Sequence, residues 1–576
     1  MRRTGAQIVW EMLRQEGVEV VFGIPGGAIM HTYHPRQQYG IHHILVRHEQ
    51  CAAHAADGYA RASGRTGVAI ATSGPGATNL VTGIATAMMD SSPIVCITGQ
   101  VSTPVIGSDA FQETDITGIT LPITKHNYLV TDVKDLAYVI HEAFHIATSG
   151  RPGPVLIDLP KDVQQEETNF MAPEGEPQLP GYHSVGLADP LLVQQAATLI
   201  NGAKRPVILA GHGVMMSDAV EVLRAFAEKT QIPVTFTLLG NGAFPASHHL
   251  TLGMMGMHGE AVANHAIQEA DLLLAFGMRF DDRVTGKLDR YAPNAHKIHV
   301  DLDATELNKI VPVDVSILGD LRQVLEQLMP LVKSTSHEEW FKRINIWRTE
   351  ADLRDVVSRP QNGRLLTPHV INAIWEATRG EAITVTDVGQ HQMWVAQYYH
   401  LDRPHTLITS GGLGTMGFGL PAAIGAQVGQ PDKEVWAILG DGGFQMTLHE
   451  LATVIQEQLP LRIAICNNNY LGMVRQWQEL FYDQHYESTH LLNPDFVRLA
   501  EAYGIRSWRA TTLEEGHQAI AEARCHPGPT LIDFQVAQKG EEGNVYPMVP
   551  ADAALHEMIR RSMPSPEYQN LIEERR

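Results

Sequence analysis

Cysteine is scarce in this sequence: four residues (Cys51, Cys96, Cys466 and Cys525) in a chain of 576, no two of them in a CxxC pair. That excludes a disulfide framework and makes a reducing, cytoplasmic setting the expectation. Positive charge is also in short supply. With 43 Lys and Arg against 64 Asp and Glu, the formal net charge is −21, and no Lys/Arg-rich block stands out. A nucleic-acid partner is excluded on that account, because phosphate binding draws on clustered basic side chains. No uninterrupted apolar run reaches the roughly 18 residues of a membrane span. Near the start, Ile8, Val9, Met12 and Leu13 recur at helical spacing, interrupted by Glu11 and Arg14. This reads as an amphipathic surface helix and lacks the apolar core of a signal peptide.

What the sequence does have is material for several cores: 44% of residues are hydrophobic and only 19% charged. At about 150 residues per domain the length suggests three or four domains. Short apolar runs at 67–72, 93–98, 155–159, 206–210, 271–276, 435–439, 461–466 and 530–534 alternate with small-residue helical stretches. Such alternation predicts α/β units built on parallel sheets. A Gln/Glu/Pro-rich stretch and a polar helical one ending in SRPQNGRLLTP separate three units. The expected boundaries are 1–165, a linker 166–190, 191–340, a linker 341–365, 366–545 and a tail 546–576. An internal echo pairs TSGPGATNLVTGIATA at 72–87 with TSGGLGTMGFGLPAAIGA at 409–426, which suggests related first and third units.

The most specific motif begins at Gly440. An apolar strand runs into Gly440-Asp441-Gly442-Gly443, and a second strand leads to Asn467-Asn468-Asn469, which sets Asn468 27 residues after Asp441. In parallel sheets ligands gather at the carboxyl ends of strands. A carboxylate and an amide oxygen side by side there suit a hard cation, Mg²⁺ or Ca²⁺. The glycines Gly442 and Gly443 let backbone N–H groups approach a phosphate at a helix start. Gly412 to Gly417 form a literal GxGxxG, but Glu434, the acidic residue expected about 20 positions later, opens a strand instead of ending one. The dehydrogenase reading is rejected.

The GDGG–NNN pattern resembles the diphosphate-and-metal motif of thiamine diphosphate enzymes. Gly23-Ile24-Pro25-Gly26-Gly27-Ala28, Phe111-Gln112-Glu113-Thr114, the run Gly277 to Gly286 (GMRFDDRVTG), Gly472 to Trp477 (GMVRQW) and Asn544 to Pro550 (NVYPMVP) are similar to those of acetohydroxyacid synthase catalytic subunits. The RFDDRVTG word, with GMHG at 256–259, marks the flavin-containing members. The resemblance implies three α/β domains, which bind the pyrimidine, FAD and the diphosphate in that order. It implies metal ligation by Asp441, Asn468 and the backbone carbonyl of Tyr470. Glu49 would face the pyrimidine ring, and Met416 would wedge beneath the thiazolium, with Gly414 offering a carbonyl. Pro25, Gly27, Gly389, Gln390, His391, Gly442, Gly443 and Asn468 would complete the thiamine diphosphate site. FAD would lie among Arg151, Gly211, Gly213, Met257, His258, Arg279, Asp281, Asp301 and Asp320. His212 stands where such proteins usually carry a run of glycines, and the 31–40 segment also departs from their pattern.

The implied activity, that of a transferase, is loss of CO₂ from pyruvate and transfer of the remaining two carbons to a second 2-keto acid. Pyruvate as acceptor gives 2-acetolactate, and 2-oxobutyrate gives 2-aceto-2-hydroxybutyrate, both in branched-chain amino acid biosynthesis. A guanidinium binds a keto-acid carboxylate bidentately, which makes Arg283 the candidate carboxylate anchor. Trp477, Phe111 and Met473 would wall the acceptor pocket, and Gln112 would make a polar contact to substrate. The resemblance further implies a homodimer or homotetramer with sites at the dimer interface, and a small regulatory subunit as a candidate partner. A flavin-linked pyruvate oxidase, or another carboligase or decarboxylase of the thiamine diphosphate class, is the competing activity.

Overall fold

The computed structural model describes residues 1–180, 182, 184–352, 355–357 and 363–537. The expected tail 546–576, and the 538–545 end of the third unit, lie outside the described residues. The apolar runs are buried strands, as their length and lack of polar alternation predict. Ile94–Gln100 and Val155–Pro160 are buried at every position.

These strands form three six-stranded parallel sheets. In the first, the spatial order is His42–Leu45, Val20–Gly23, Gly67–Ala71, Ile94–Gln100, Val155–Pro160, His126–Leu129. Numbered along the chain that order is 2-1-3-4-6-5. The last sheet repeats it: Leu407–Ile408, Ile383–Thr386, Val435–Gly440, Arg462–Asn467, Thr530–Gln535, Arg506–Ala510. The middle sheet differs, running Thr251–Met254, Val234–Phe236, Pro206–Ala210, Leu272–Phe276, His296–Asp301, Val315–Leu318, or 3-2-1-4-5-6. That is the dinucleotide-binding order, whose crevice opens where strands one and four part.

Two details depart from the sequence reading. The stretch expected to be a linker from 166 starts as a strand, Glu167–Asn169, paired antiparallel with Arg2–Thr4. The helix Glu338–Asp352 crosses the expected boundary at 340, because its Trp340, Ile344 and Trp347 fill the middle core.

The internal echo is real but attaches to a different strand. The motif at 72 follows the third strand of its sheet, whereas the one at 409 follows the second. The structural equivalents are the helices after each second strand, Glu49–Ser63 and Gly419–Gly429. They pack directly on each other. A Cβ on Gly58 would sit 2.0 Å from the Ala422 carbonyl oxygen, and one on Gly425 1.9 Å from that of Ala55. Among the described residues no helix is long and apolar enough to cross a membrane.

Candidate active site

The third sheet presents its chemistry where two neighbouring strands end. Gly440 pairs with Cys466 across the ladder, so Asp441 and the three asparagines leave the sheet side by side. Asp441 begins the helix Asp441–Thr447 and is buried. Its Oδ2 accepts 2.6 Å from Asn493 Nδ2, which also donates to Asn467 Oδ1 and Asn469 Oδ1. Burial raises the Asp441 carboxyl to about 6. Asn468 Oδ1 accepts from the Tyr470 N–H at 3.0 Å, which fixes the turn carrying the Tyr470 carbonyl. The Arg475 guanidinium lies 3.9 Å over the Tyr470 ring and holds that residue from the other side. A carboxylate, an amide oxygen and a nearby carbonyl make an oxygen-only donor set, which fits Mg²⁺.

The glycines around these donors are close approaches. A Cβ on Gly443 would meet Asp387 Oδ1 at 2.2 Å, one on Gly440 the His391 ring at 2.9 Å, and one on Gly442 Leu471 Cδ2 at 2.8 Å. His391 Nε2 is buried with no hydrogen-bond partner among the described residues, while the Nδ1 of the same ring faces Gly440. Burial holds the imidazole down at about 4, so it is neutral. Gln390 donates 2.7 Å to Gln476 Oε1, and Gly389 takes φ +152° at the helix start.

Asp387, absent from the sequence reading, organises the loop that carries Gly414 and Met416. Its carboxylate accepts from the N–H groups of Val388, Gly417 and Gly419 at 2.8–3.1 Å. This is why the GxGxxG is no dinucleotide cradle: its last amide, Gly417, and that of Gly419 just beyond already serve a buried carboxylate. From the first unit, Asp90 accepts from Gly411 and Gly412 N–H. The signal for Asp387 was available, since like Asp441 it is an acid directly after a strand.

A cavity of about 740 Å³ opens at the carboxyl ends of the middle sheet. Asp301 and Asp320 lie at its middle-sheet end, with His212, Gly213 and Arg279; Met257, His258, Asp281 and Arg283 line it further along. Arg151 reaches in from the first unit, its guanidinium 3.2 Å from both Asp303 and Glu306. Gly211 lies just behind the wall, where a Cβ would meet the Gly277 carbonyl oxygen at 2.2 Å. His258 Nδ1 is buried with no partner among the described residues. His212, the departure from the glycine run, lines the wall, and burial lowers its imidazole to about 4. Asp320 caps the helix Leu321–Leu328, and Asp281 caps Asp282–Thr285, so both carboxylates are oriented by backbone N–H groups. The cavity continues to Gly389, Gly414, Met416, Met473 and Trp477. Arg283 gives one N–H to Asp282 at 3.0 Å, and both side chains are more than half exposed. Such a pair is weak and leaves the guanidinium able to bind another anion.

Glu49, Pro25, Gly27, Phe111 and Gln112 lie outside that cavity wall, on the strand-end loops of the first sheet. There Glu49 and Gln112 approach the same segment, 74–79. Glu49 Oε2 accepts 2.9 Å from Asn79 Nδ2, a partner the sequence did not single out. A Cβ on Gly76 would stand 3.4 Å from Glu49 Oε1, and one on Gly74 2.8 Å from the Gln112 carbonyl oxygen. Phe111 is 88% exposed at the rim.

Three parallel sheets, with an oxygen donor set at one strand-end and a dinucleotide-sized crevice at another, define a thiamine-dependent α/β enzyme. Residues 3–119, 193–328 and 387–534 match, in turn, the N-terminal TPP binding, central and C-terminal TPP binding domains of thiamine pyrophosphate enzymes. The chain is 50% identical over 566 residues to the acetolactate synthase large subunit of Corynebacterium glutamicum, covering 96% of this chain and 89% of that one. It is 48% identical over 563 residues to the same subunit of Lactococcus lactis, covering 96% of both. For the subunit of Parasynechococcus marenigrum the figures are 48% over 567 residues, 96% and 91%. The chain belongs to the acetolactate synthase large-subunit family.

Proposed function

We propose that the chain works as an acetohydroxyacid synthase on pyruvate, with pyruvate or 2-oxobutyrate as acceptor, and with thiamine diphosphate, Mg²⁺ and FAD as its cofactors. The observation that carries the reading is the continuity of one cavity. It is lined at once by Asp301 and Asp320, beyond strands of the middle sheet, by Arg283 and Trp477, and by Gly414 and Met416. A flavin-sized crevice and a thiamine loop therefore share a passage lined by the two candidate acceptor residues.

When bound, thiamine diphosphate supplies the electron sink that decarboxylation and carbon–carbon bond formation need. Asp441, Asn468 and the Tyr470 carbonyl would hold Mg²⁺, whose charge offsets the cost of burying the Asp441 carboxylate. The backbone at Gly442 and Gly443 would face phosphate oxygens, with His391 lining the site beside Gly440. Met416, whose Cε comes within 3.5 Å of a Cβ built on Gly442, would wedge the thiamine from below. Glu49 would exchange a proton with the pyrimidine ring nitrogen, its carboxylate turned by Asn79.

Arg283 would take the acceptor's carboxylate, through charge-assisted bonds of roughly 1.5–3 kcal/mol each. Trp477, Met473 and Met257 supply the apolar wall, and an added methylene there is worth about 1–3 kcal/mol. Arg279 lines the cavity with its charge acting on Asp281, and it suits the flavin diphosphate. Gly211, Gly213, Arg151, His258 and Asp281 would help hold the flavin. Glu49, Gln112 and the exposed Phe111 stand apart from this cavity, which supports a homodimer in which one copy completes the other's site. A small regulatory subunit and a cytoplasmic setting complete the reading. Incubation with pyruvate, Mg²⁺, thiamine diphosphate and FAD tests it: acetolactate is the expected product. Flavin bleaching at the turnover rate without acetolactate would assign a pyruvate oxidase instead.

A further inference from the structure

We propose that Cys51, His449 and Glu450 form a binding site for a thiolate-preferring divalent cation of the zinc class, separate from the oxygen site at Asp441. The three residues come from two domains: Cys51 from the helix Glu49–Ser63, His449 and Glu450 from the turn Leu448–Glu450 of the third domain. Cys51 Sγ lies 3.7 Å from His449 Nε2, which lies 3.7 Å from Glu450 Oε1. All three ligand atoms fall within 4.8 Å of one another. With Zn–S near 2.3 Å and Zn–N or Zn–O near 2.0–2.1 Å, ligand atoms around a tetrahedral ion stand roughly 3.3–3.6 Å apart. Adjustments of a few tenths of an ångström therefore suit the two His449 pairs, and Cys51 and Glu450 need to close by at most about 1.3 Å, with the fourth position left to water.

The surroundings are those of a ligating carboxylate. Glu450 is fully buried, and among the described residues no Lys or Arg pairs with it. A buried carboxylate without a counter-charge is costly, and a cation removes that cost. Its Oε1 accepts from the N–H groups of Arg47 and His48 at 2.8 and 3.2 Å, and its Oε2 from Thr453 Oγ1 at 2.6 Å. Such outer contacts hold a metal-bound carboxylate in orientation. The His48 ring, 6.1 Å from that of His449, and Glu49 complete the charged and titratable groups facing the cluster. Burial, Glu450 and Glu49 push the Cys51 thiol well up, so Cys51 carries its proton without metal. Binding forms the metal–sulfur bond and releases that proton to solvent. Half-exposed His449 gives the ion its way in. Once bound, the ion ties the start of the Glu49 helix to the third domain, two residues from Glu49.

The test uses the full-length holoenzyme in a Cys525→Ser background, which removes the one exposed thiol. It is stripped with a chelator and reloaded with thiamine diphosphate and excess Mg²⁺. Titration with Co²⁺ should then give one equivalent per chain with a near-ultraviolet thiolate charge-transfer band and tetrahedral visible bands, which Zn²⁺ abolishes and further Mg²⁺ does not. Cys51→Ser should lose the charge-transfer band. His449→Gln should weaken binding by more than the roughly 10–100-fold that loss of an outer-shell contact costs. No charge-transfer band, a band that survives Cys51→Ser, or an affinity unmoved by His449→Gln would overturn the site.

Discussion

The first and third sheets are the same scaffold with different chemistry at the rim. Both run 2-1-3-4-6-5, and both carry a buried aspartate in the same strand, Asp158 and Asp533. Each takes a hydrogen bond from an amide two residues past its neighbour in the ladder: Gln100 Nε2 at 2.8 Å and Asn467 Nδ2 at 2.9 Å. The partners then diverge. Asp533 also meets Arg509 Nε at 3.1 Å, whereas among the described residues the Asp158 carboxylate bonds the neutral side chains of Thr98 and Gln100, and burial raises it to about 7. At the third strand end one sheet offers Asp441 and the other the hydroxyls of Thr72 and Ser73. After the second strand, one helix opens with Glu49 and the other with Gly419. On the proposed reading a duplicated frame has been divided: one copy carries the residues proposed to hold the cation, the other the carboxylate proposed to exchange a proton.

The sharpest way to break that division is at the two carboxylates. Glu49→Gln should cost roughly 10²–10⁴-fold in kcat, the usual worth of a positioned acid or base, while thiamine diphosphate binding persists. Asp441→Ala should instead lose Mg²⁺-dependent cofactor binding. Equal cofactor retention in the two variants, measured by equilibrium dialysis, would end the claim of separate roles.

The second contrast concerns pH. Asp158 ionises near 7 in the folded chain against an ordinary 3.8, so the folded state binds its proton more tightly. Its contribution to stability is full below about 4, falls as pH rises towards 7 and stays lost above it, about 4 kcal/mol in all. Asp158→Asn, which mimics the protonated acid, should flatten that slope in urea midpoints taken at pH 5 and pH 8. An unchanged slope would mean the carboxylate is stabilised as a charge, as Arg509 does for Asp533.

Gly425→Ala probes the seam between the copies. Its Cβ would fall 1.9 Å from a carbonyl oxygen, so a loss of about 1–3 kcal/mol or more is expected in urea unfolding. A neutral result would mean the two equivalent helices can separate freely. The smallest effect is at Trp477→Leu, which should erode any preference for 2-oxobutyrate by no more than roughly 10–200-fold in a product competition. An unaltered ratio would leave Trp477 as packing against the middle core alone.

Much of this was legible along the chain. The apolar runs became strands because a run buried on both faces needs no polar alternation, and Asp441 and the asparagines at 467–469 announced themselves by following strands. The internal echo was legible only in part, because two small-residue words matched while the helices they precede follow different strands. Asp387 is satisfied by amides 30 and 32 residues away, and Asn493 reaches Asp441 across 52, separations that no local pattern encodes. The cluster of Cys51, His449 and Glu450 is of the same kind, since nearly 400 residues separate its halves.

By itself the sequence determined the α/β class, the strands, the strand-end position of Asp441 and the asparagines and, through its resemblance, the family. These are local: each rests on a residue type at a strand end or on the period of apolar side chains. The tertiary structure alone decided which strand ends face which, because the order of strands in a parallel sheet is set by crossovers and not by neighbours in sequence. It made two units copies of one frame and gave the middle one a dinucleotide crevice. It ran one cavity from that crevice to the Gly414 loop and left Glu49 outside it.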